Sequence, residues 1–480
     1  MNFFGRRVIY TDEELIHAGN VANVLGKAMP VHAANAQDCD FLWRYYRGDQ
    51  PILQREKDVR PEICNRVVEN RANEIVTFKT GYLMGEPVQY VGRGEISAEA
   101  IGRLNRLVFA EGKASKDKML ADWFHICGTA YRVVLPKREE GGPFSMFTAD
   151  PRTTFVVYSS SIDHRPMLGV HYRVSETGQK RFSCYTQNRY FEVEDGKVIR
   201  EAVHLCGGVP IIEYPLNEAR LGAFEVVLEL LDAINTVDSN RLDDIEQTVQ
   251  SLLLFHNVEV DRETFDELRA KGALKYTDID PQMHGDVEYI ANPLQQVNGQ
   301  TVMDHLYQAV LTITGMPNRN GGTSTSDTGT AVIMRDGWSA AEARAKDTEM
   351  RFRESEREFL RIVFNICRNT QGADLALDAH DVEVRFTRRN YENILQKAQV
   401  LDLMLNNPQV APRLAFEHCG MFPDPDLACK LSEEAYERYK ADAERLAGDR
   451  AAAQGGEPGG AAGGAGQGGN RGNPAKAAGS

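Results

Sequence analysis

The sequence predicts an α+β protein made of several structural units, and three features of the chain lead to this prediction. Apolar residues recur at helical spacing over 59–84, and a second helix is expected over 96–127. From Gly128 onward the pattern changes to the alternation that is typical of short strands. Residues 331–370 contain no proline and repeat apolar residues every seven positions, which indicates one long helix. The repeating positions are Trp338, Ala345, Phe352, Phe359 and Ile366.

Length and charge limit the class of protein. At 480 residues, 42% of them hydrophobic, the chain can form two to four structural units. It carries 69 acidic and 55 basic residues, a formal net charge of -14. This balance argues against ordinary DNA binding but is compatible with a surface that DNA slides past. The N-terminus does not resemble a signal peptide and no apolar run is long enough for a membrane helix, so we expect a soluble protein made in a cytoplasm.

An antiparallel β region is predicted between residues 130 and 203. Its strand candidates are Ala130–Leu135, Thr153–Tyr158, Leu168–Val174, Arg181–Tyr185, Tyr190–Val193 and Val198–Val203. Asp195-Gly196 lies between the last two and predicts a hairpin turn, since both residues tolerate positive φ. Pro210 and Pro215 are expected to close the region.

A helix predicted over 220–254 carries one polar, mostly acidic stripe. Its candidate channel-lining residues are Glu225, Glu229, Asp232, Asp243 and Glu246. Carboxylates on a channel wall would repel DNA phosphates and prevent adhesion. The alternative is that the stripe is simply a solvated helix face.

A small α/β insert is predicted over 255–297, and a second helix returns over 299–314. Within the insert, strands are expected at His256–Val260 and Val287–Ile290 and a helix at Arg262–Lys271. The segment Asn318–Thr330 that follows has no large apolar residue, so we expect an exposed loop. Its candidate DNA contacts are Asn318, Arg319, Asn320, Thr323 and Ser324, although a plain flexible connection is the alternative.

The sequence lacks several common enzyme motifs. The chain has no phosphate-binding loop, no complete dinucleotide fingerprint, no HExxH and no GxSxG. Its eight cysteines form no CxxC pair, and His418-Cys419 has no neighbours that would complete a zinc site. We therefore predict no catalytic residues, no metal and no cofactor, and we expect reduced, buried cysteines.

Three segments resemble the SPP1-type portal proteins of tailed bacteriophages. They are FLWRYYRGDQPILQRE at 41–56, EICNRVVENRANEIVTFKTGYLMGEPVQY at 62–90 and TGTAVIMRDGW at 328–338. They occur in the family's order, and the resemblance covers about 40–400. The Gly/Ala-rich tail after residue 449 matches nothing in that pattern.

The resemblance implies a portal-type subunit with named regions. These are an α/β wing at 1–219, a helical stem at 220–254 and 299–315, an α/β clip at 255–298, a tunnel loop at 316–330, a long spine helix at 331–370, a wing return strand at 371–392, crown helices at 393–447 and a disordered tail at 448–480. Such subunits form a homo-oligomeric ring, typically of twelve, at the head vertex.

The same resemblance implies a function. The ring would package and eject double-stranded DNA, and it would contact the terminase large subunit, the scaffold and major capsid protein and later a head-completion or adaptor protein. It would be part of the virion and not an enzyme. Another phage head or connector protein is the alternative, and a nucleic-acid-processing enzyme is a weaker one because no ligand cluster for it is found.

Overall fold

The computed structural model describes residues 5–93, 98–137, 142–249, 252–259, 262, 277–279, 286–290, 296–318, 337–387, 394–422 and 425–454. The chain divides into two compact units, Met1–Asn393 (unit 1) and Ile394–Ser480 (unit 2). Unit 1 contains the predicted wing, stem, clip and long helix, whereas unit 2 contains the predicted crown.

Four of the described helices precede the main β region of unit 1. They are α1 (Val21–Tyr46), α2 (Arg71–Leu83), α3 (Ala98–Ala110) and α4 (Lys113–Cys127). The helix predicted over 59–84 is shorter, because Asn70 accepts a hydrogen bond from the backbone N–H of Asn73 and caps the start of α2. The single helix predicted over 96–127 is two helices, since Gly112 between them has a φ of +66°.

Of the ten strands described up to residue 215, all but the second form two main sheets. Their bounds are β1 (Ile9–Thr11), β2 (Gln89–Gly92), β3 (Thr129–Pro136), β4 (Phe144–Ala149), β5 (Thr154–Ser159), β6 (Pro166–Val174), β7 (Lys180–Tyr185), β8 (Arg189–Glu194), β9 (Lys197–Val203) and β10 (Ile211–Pro215). One sheet has the order β1-β5-β6-β7-β8-β9 and the other the order β10-β3-β4. Within them only β1 and β5 pair in parallel.

The strand predictions from alternation are confirmed. All six candidates correspond to observed strands, and the turn at Asp195 and Gly196 has φ values of +48° and +71°. The prediction that Pro215 closes the region is confirmed, because it is the last residue of β10. The prediction for Pro210 is wrong, because β10 follows it and pairs with β3. β1 and β4 were not predicted at all.

The two sheets pack face to face because β3 alternates its side chains. Tyr131 packs with Val156 and Ile211 between the sheets. Ala130 and Val134 point to the opposite side and join the largest core, which they share with α3, α4 and the long helix.

Two helices flank the predicted clip, α5 (Leu228–Val249) and α6 (Gln296–Thr314). The helix predicted over 220–254 is shorter at both ends, since a 3₁₀ turn precedes α5 and a strand follows it. Four short strands are described between the helices: β11 (Leu252–His256), β12 (Val258–Glu259), β13 (Thr277–Asp278) and β14 (Asp286–Ile290). β11 pairs with β14 and β12 with β13, both antiparallel. The helix predicted over 262–271 lies outside the described residues except at its first position.

The long helix is α7 (Trp338–Arg368), and its predicted residues 331–336 lie outside the described ones. Of the seven-residue repeat, Phe352, Phe359 and Ile366 are buried as predicted, whereas Trp338 is only half-buried. After α7 the strand β15 (Val382–Arg385) pairs antiparallel with β2.

Unit 2 is helical, with α8 (Ile394–Leu405), α9 (Pro412–Cys419) and α10 (Pro425–Gln454). Its small core includes Ala415, Phe416 and Cys419. α10 continues past the predicted end of the crown at residue 447, and residues 455–480 of the predicted tail lie outside the described residues. Of the helices that the structure describes, none is long and apolar enough to cross a bilayer.

Candidate functional site

Two residues of the predicted acidic stripe are buried inside the subunit. Glu225 is only 5% exposed, and Arg6 donates to its Oε1 at 2.6 Å while the N–H of Gly222 donates to its Oε2 at 2.8 Å. Burial raises the pKa of Glu225 although the charge of Arg6 opposes this shift. The prediction that Glu225 lines a channel is therefore wrong, because the N-terminal segment covers it.

Asp243 is covered in a similar way and is 2% exposed. Its Oδ1 accepts from the backbone N–H of Asn65 at 2.7 Å, and its Oδ2 lies 3.0 Å from Lys57 Nζ and 3.1 Å from an Arg55 guanidinium nitrogen. A carboxylate with these partners cannot also face a solvent channel. The channel prediction for Asp243 is wrong for this reason.

The covering element is residues 55–69, which we call the strap; it turns near Arg60 and forms neither helix nor strand. Its backbone N–H groups at Asn65, Val67 and Glu69 donate to Asp243, Ser239 and Asn235 at 2.7, 3.0 and 2.8 Å. Four residues of helix rise about 6.0 Å and two residues of extended chain span about 6.6 Å, so the two spacings match. The strap therefore runs antiparallel to α5 along the middle of the polar stripe.

The other acidic candidates have different surroundings. Asp232 is half-buried and accepts a 2.8 Å hydrogen bond from the hydroxyl of Tyr45. Glu229 and Glu246 are exposed, so their proposed place on a channel wall stays a prediction. The polar stripe is thus mainly an attachment site for the N-terminal part of the chain.

The loop candidates are mostly outside the described residues. Asn318 is half-buried and its side-chain amide donates to Oε1 of Gln308 at 2.8 Å. Arg319, Asn320, Thr323 and Ser324 lie beyond the described part of the chain. Their predicted DNA contacts stay predictions.

Sequence reasoning missed a second surface, on α6. Thr301, His305, Gln308 and Thr312 are exposed and recur at steps of four, three and four residues, so they form one row. Met303, Val310 and Thr314 are buried on the opposite side of the helix. We call the four exposed residues the neutral row, because none carries a full formal charge with histidine neutral. The same spacing argument that found the α5 stripe could have found it.

A cluster of buried charges lies in the core between α4, β3 and α7 and is structural. Lys113, Asp117, Arg132 and Glu356, which we call the ionic cluster, are all buried. Lys113 Nζ lies 2.5 Å from Asp117 and 2.9 Å from Glu356, and Arg132 pairs with the same two carboxylates.

The cations of the ionic cluster lower the pKa of its carboxylate Glu356. Burial alone would raise the pKa of Glu356, but the charges of Lys113 and Arg132 and a hydrogen bond from Tyr90 lower it to about 2. No member reaches solvent, so the cluster holds α7 against α4 and β3 and is not a site for an external substrate.

Metal-binding and redox chemistry find no support among the described residues. No group of three or more His, Cys, Asp or Glu side chains in that part of the chain could hold a metal ion. The eight cysteines are free, and seven of them are buried, as the sequence predicted.

Comparisons with known proteins agree with the family resemblance seen in the sequence. Residues 27–451 match the family model described as phage portal protein, SPP1 Gp6-like. None of the curated proteins matches the chain. One similar solved structure is the neck of an empty GTA particle computed with C6 symmetry, which is 11% identical with a TM-score of 0.42 over 73% of this chain and 90% of that chain. The family match covers well over half of the sequence and includes residues of both units.

Proposed function

Because the chain belongs to the SPP1 Gp6-like family of phage portal proteins, we propose that its copies close into a ring of twelve at the head vertex, through which double-stranded DNA is packaged and ejected. As a portal protein it is a structural component of the phage head and not an enzyme. The observation that carries the proposal is the family match over 27–451, which agrees with the three segments noted in the sequence.

The regions of the ring can be assigned on the observed elements. We assign the stem to α5 and α6, the clip to the strands between them, and the crown to the helices of unit 2. The clip would dock the terminase large subunit during packaging and a head-completion or adaptor protein afterwards. The wing would contact the scaffold and the major capsid protein.

The channel wall of the stem is assigned to the neutral row of α6. Thr301 and Thr312 are eleven residues apart, so the row is about 16 Å long and would pass about ten phosphates of a duplex. Fixed cations along that length would bind the DNA. Neutral hydroxyl and amide groups form hydrogen bonds worth only about 0.5–1.5 kcal/mol each, which water readily replaces. The row therefore suits a polymer that must slide.

Assembly is tested on the purified protein by analytical ultracentrifugation and by electron microscopy of particles viewed end-on. We expect a large, uniform ring with a hole wide enough for a duplex. If the chain stayed monomeric at every salt and protein concentration, both alone and in heads, the proposed ring assembly would be wrong.

The channel wall is tested by cysteine labelling of assembled rings, with Thr301→Cys and Thr312→Cys as the row variants. The control is Ile162→Cys in the wing, at a side chain that is 99% exposed. We expect a small maleimide to label all three in empty rings and to lose access to the row positions alone when DNA fills the channel. Glu246→Cys tests a remaining acidic candidate in the same way. DNA protection of Glu246→Cys without protection of Thr301→Cys or Thr312→Cys would move the wall to α5.

A further inference from the structure

The last two turns of α2 contact the two helices that flank the segment 319–336, α6 before it and α7 after it. The first helix end in contact is the C-terminus of α6 at Thr314, and the second is the start of α7 at Trp338. Phe78, Lys79 and Tyr82, which we call the clamp, lie in the part of the sequence that most resembles the portal family. The function of these residues was not evident from the sequence.

Lys79 binds the first end. Its ammonium donates to the carbonyl oxygen of Thr314 at 2.8 Å. The last four carbonyls of a helix have no partner within the helix, and a cation there also complements the helix dipole. Gly315 ends α6 with a φ of +69°, and an added Cβ would collide with the side chain of Arg344 from α7. The end of α6 is therefore bound by α2, and the side chain of Arg344 lies close to it.

Tyr82 and Phe78 bind the second end. The Tyr82 hydroxyl donates to Oε2 of Glu342, in the second turn of α7, at 2.9 Å. The ring of Trp338 lies 6.0 Å from the ring of Phe78 and 6.1 Å from that of Tyr82. Lys79 and Tyr82 are three residues apart and so lie on neighbouring positions of one helix surface. A single short helix thus fixes the end of α6 and the start of α7 relative to each other.

Lys79 is costly to the fold in its charged form. Burial and the charge of Arg344 lower the pKa of Lys79 to about 8. The folded protein therefore holds this proton less tightly than the unfolded chain, and the ammonium costs stability at neutral pH. A methionine would fill the same space without that cost. A Lys79→Met variant is therefore expected to fold.

We propose that Lys79 and Tyr82 are positioning residues that hold the C-terminus of α6 and the start of α7 at a fixed separation. The consequence for DNA rests on the function proposed above: chains that lose this fixed separation should package or retain less DNA. The clamp itself can be measured without a ring and without DNA.

The experiment places spin labels at Thr312 and Ala340, two exposed positions on either side of the segment, through unnatural amino acids so that native cysteines are not labelled. Labelled chains are diluted with unlabelled protein so that only distances within one subunit are measured. The variants are Lys79→Met, which loses the bond to Thr314, and Tyr82→Phe, which keeps the ring contacts and loses the bond to Glu342. Lys118→Met and Tyr10→Phe are matched controls at exposed side chains.

We expect one narrow distance distribution in the wild type and both controls, and at least about twofold broadening in Lys79→Met and Tyr82→Phe. The melting temperature of Lys79→Met should stay within about 2 °C of wild type, because the lost bond is offset by the removed charge. Lys79→Arg, which can still donate to Thr314, should restore the narrow distribution. Narrow distributions in both clamp variants would overturn the proposal.

A second measurement separates the clamp from its role in the channel. The same variants are supplied in phage assembly and the DNA content of the heads is measured. We expect Lys79→Met to reduce packaged or retained DNA while heads still form. Broadened distances with normal DNA content would overturn the link to DNA, whereas absence of any ring in the wild type would overturn the proposed function and leave the distance result standing.

Discussion

Two regions of unit 1 withdraw charged side chains from water, and they do so differently. In the ionic cluster, two cations and two carboxylates from α4, β3 and α7 pair with one another in the core. On α5, Asp243 and two neutral residues instead bind the backbone of the strap, with Lys57 and Arg55 as added partners. The ionic cluster is held by bonds between side chains. The strap is held mainly through its backbone N–H groups, which every residue except proline carries.

This difference predicts how each region responds to substitution. Each ion of the cluster has charged partners that are equally buried, so removing one leaves the others uncompensated. The strap contacts are separate hydrogen bonds along a ladder, so removing one leaves the next in place. We therefore expect an abrupt response in the cluster and a graded response along α5.

The largest effect is expected for Glu356→Gln. The carboxylate is 0% exposed, and its loss leaves Lys113 and Arg132 with one carboxylate between them. We expect a loss of about 3–5 kcal/mol in the free energy of unfolding, measured by chemical denaturation. The exposed Glu354→Gln on the same helix should change it by less than about 0.5 kcal/mol. An equal, small effect of both would show that the cluster does not hold α7.

Substitution of a buried apolar residue on α7 measures the contribution of packing, apart from that of the ionic cluster. Phe352 is buried beside the cluster, so Phe352→Ala should cost about 3–5 kcal/mol. The seven-residue repeat predicted the same for Trp338, but its side chain is half-buried, so Trp338→Ala should cost about half as much or less. Met350→Ala, at an exposed side chain of α7, serves as the control in the same denaturation measurement. Equal losses at Trp338 and Phe352 would contradict the difference in burial.

On the α5 side, Asp243→Ala should cost about 2–3 kcal/mol, because it removes the acceptor for Asn65, Lys57 and Arg55. Hydrogen exchange should show faster exchange of the Asn65 amide. The exposed Glu246→Ala is the control and should leave strap amides unchanged. Unchanged protection of Asn65 in Asp243→Ala would mean that the strap is held elsewhere.

A buried histidine tests a third case. His32 is 1% exposed and stacks on Phe155, and burial lowers its pKa to about 4. Stability that is present above pH 6.5 is lost as the pH falls toward 4, because the unfolded chain takes up the proton first. Between pH 7 and 5 the loss from His32 should be about 2 kcal/mol. His32→Gln should reduce the pH dependence of unfolding by that amount, whereas the exposed His305→Gln should not.

The smallest effect is expected for Ser239→Ala, about 1 kcal/mol. Only the hydroxyl that accepts from the Val67 amide is lost, so hydrogen exchange should accelerate at Val67 and spare Asn65. Thr236→Ala is the matched control, since its exposed hydroxyl bonds within α5 and does not reach the strap. Loss of protection along the whole strap would mean that the ladder is cooperative, and the contrast with the ionic cluster would disappear.

Local patterns in the sequence determined much of unit 1. Alternation between residues 130 and 203 and the Asp195-Gly196 pair predicted strands and a turn that the structure contains, because side-chain direction and positive φ depend on neighbouring residues only. The repeat at Phe352, Phe359 and Ile366 predicted the buried side of α7 for the same reason. Family membership also followed from short segments.

Only the tertiary structure decided what the polar stripe of α5 does. A helical period shows that one face of a helix is polar. It does not show whether that face contacts water, DNA or another part of the same chain. Residues 59–69 of the strap were predicted as helix because their apolar residues have helical spacing. Their backbone N–H groups are instead bound by side chains about 170 residues away along the chain. Glu225 and Asp243 are buried by partners equally remote in sequence, and no local pattern contains that information.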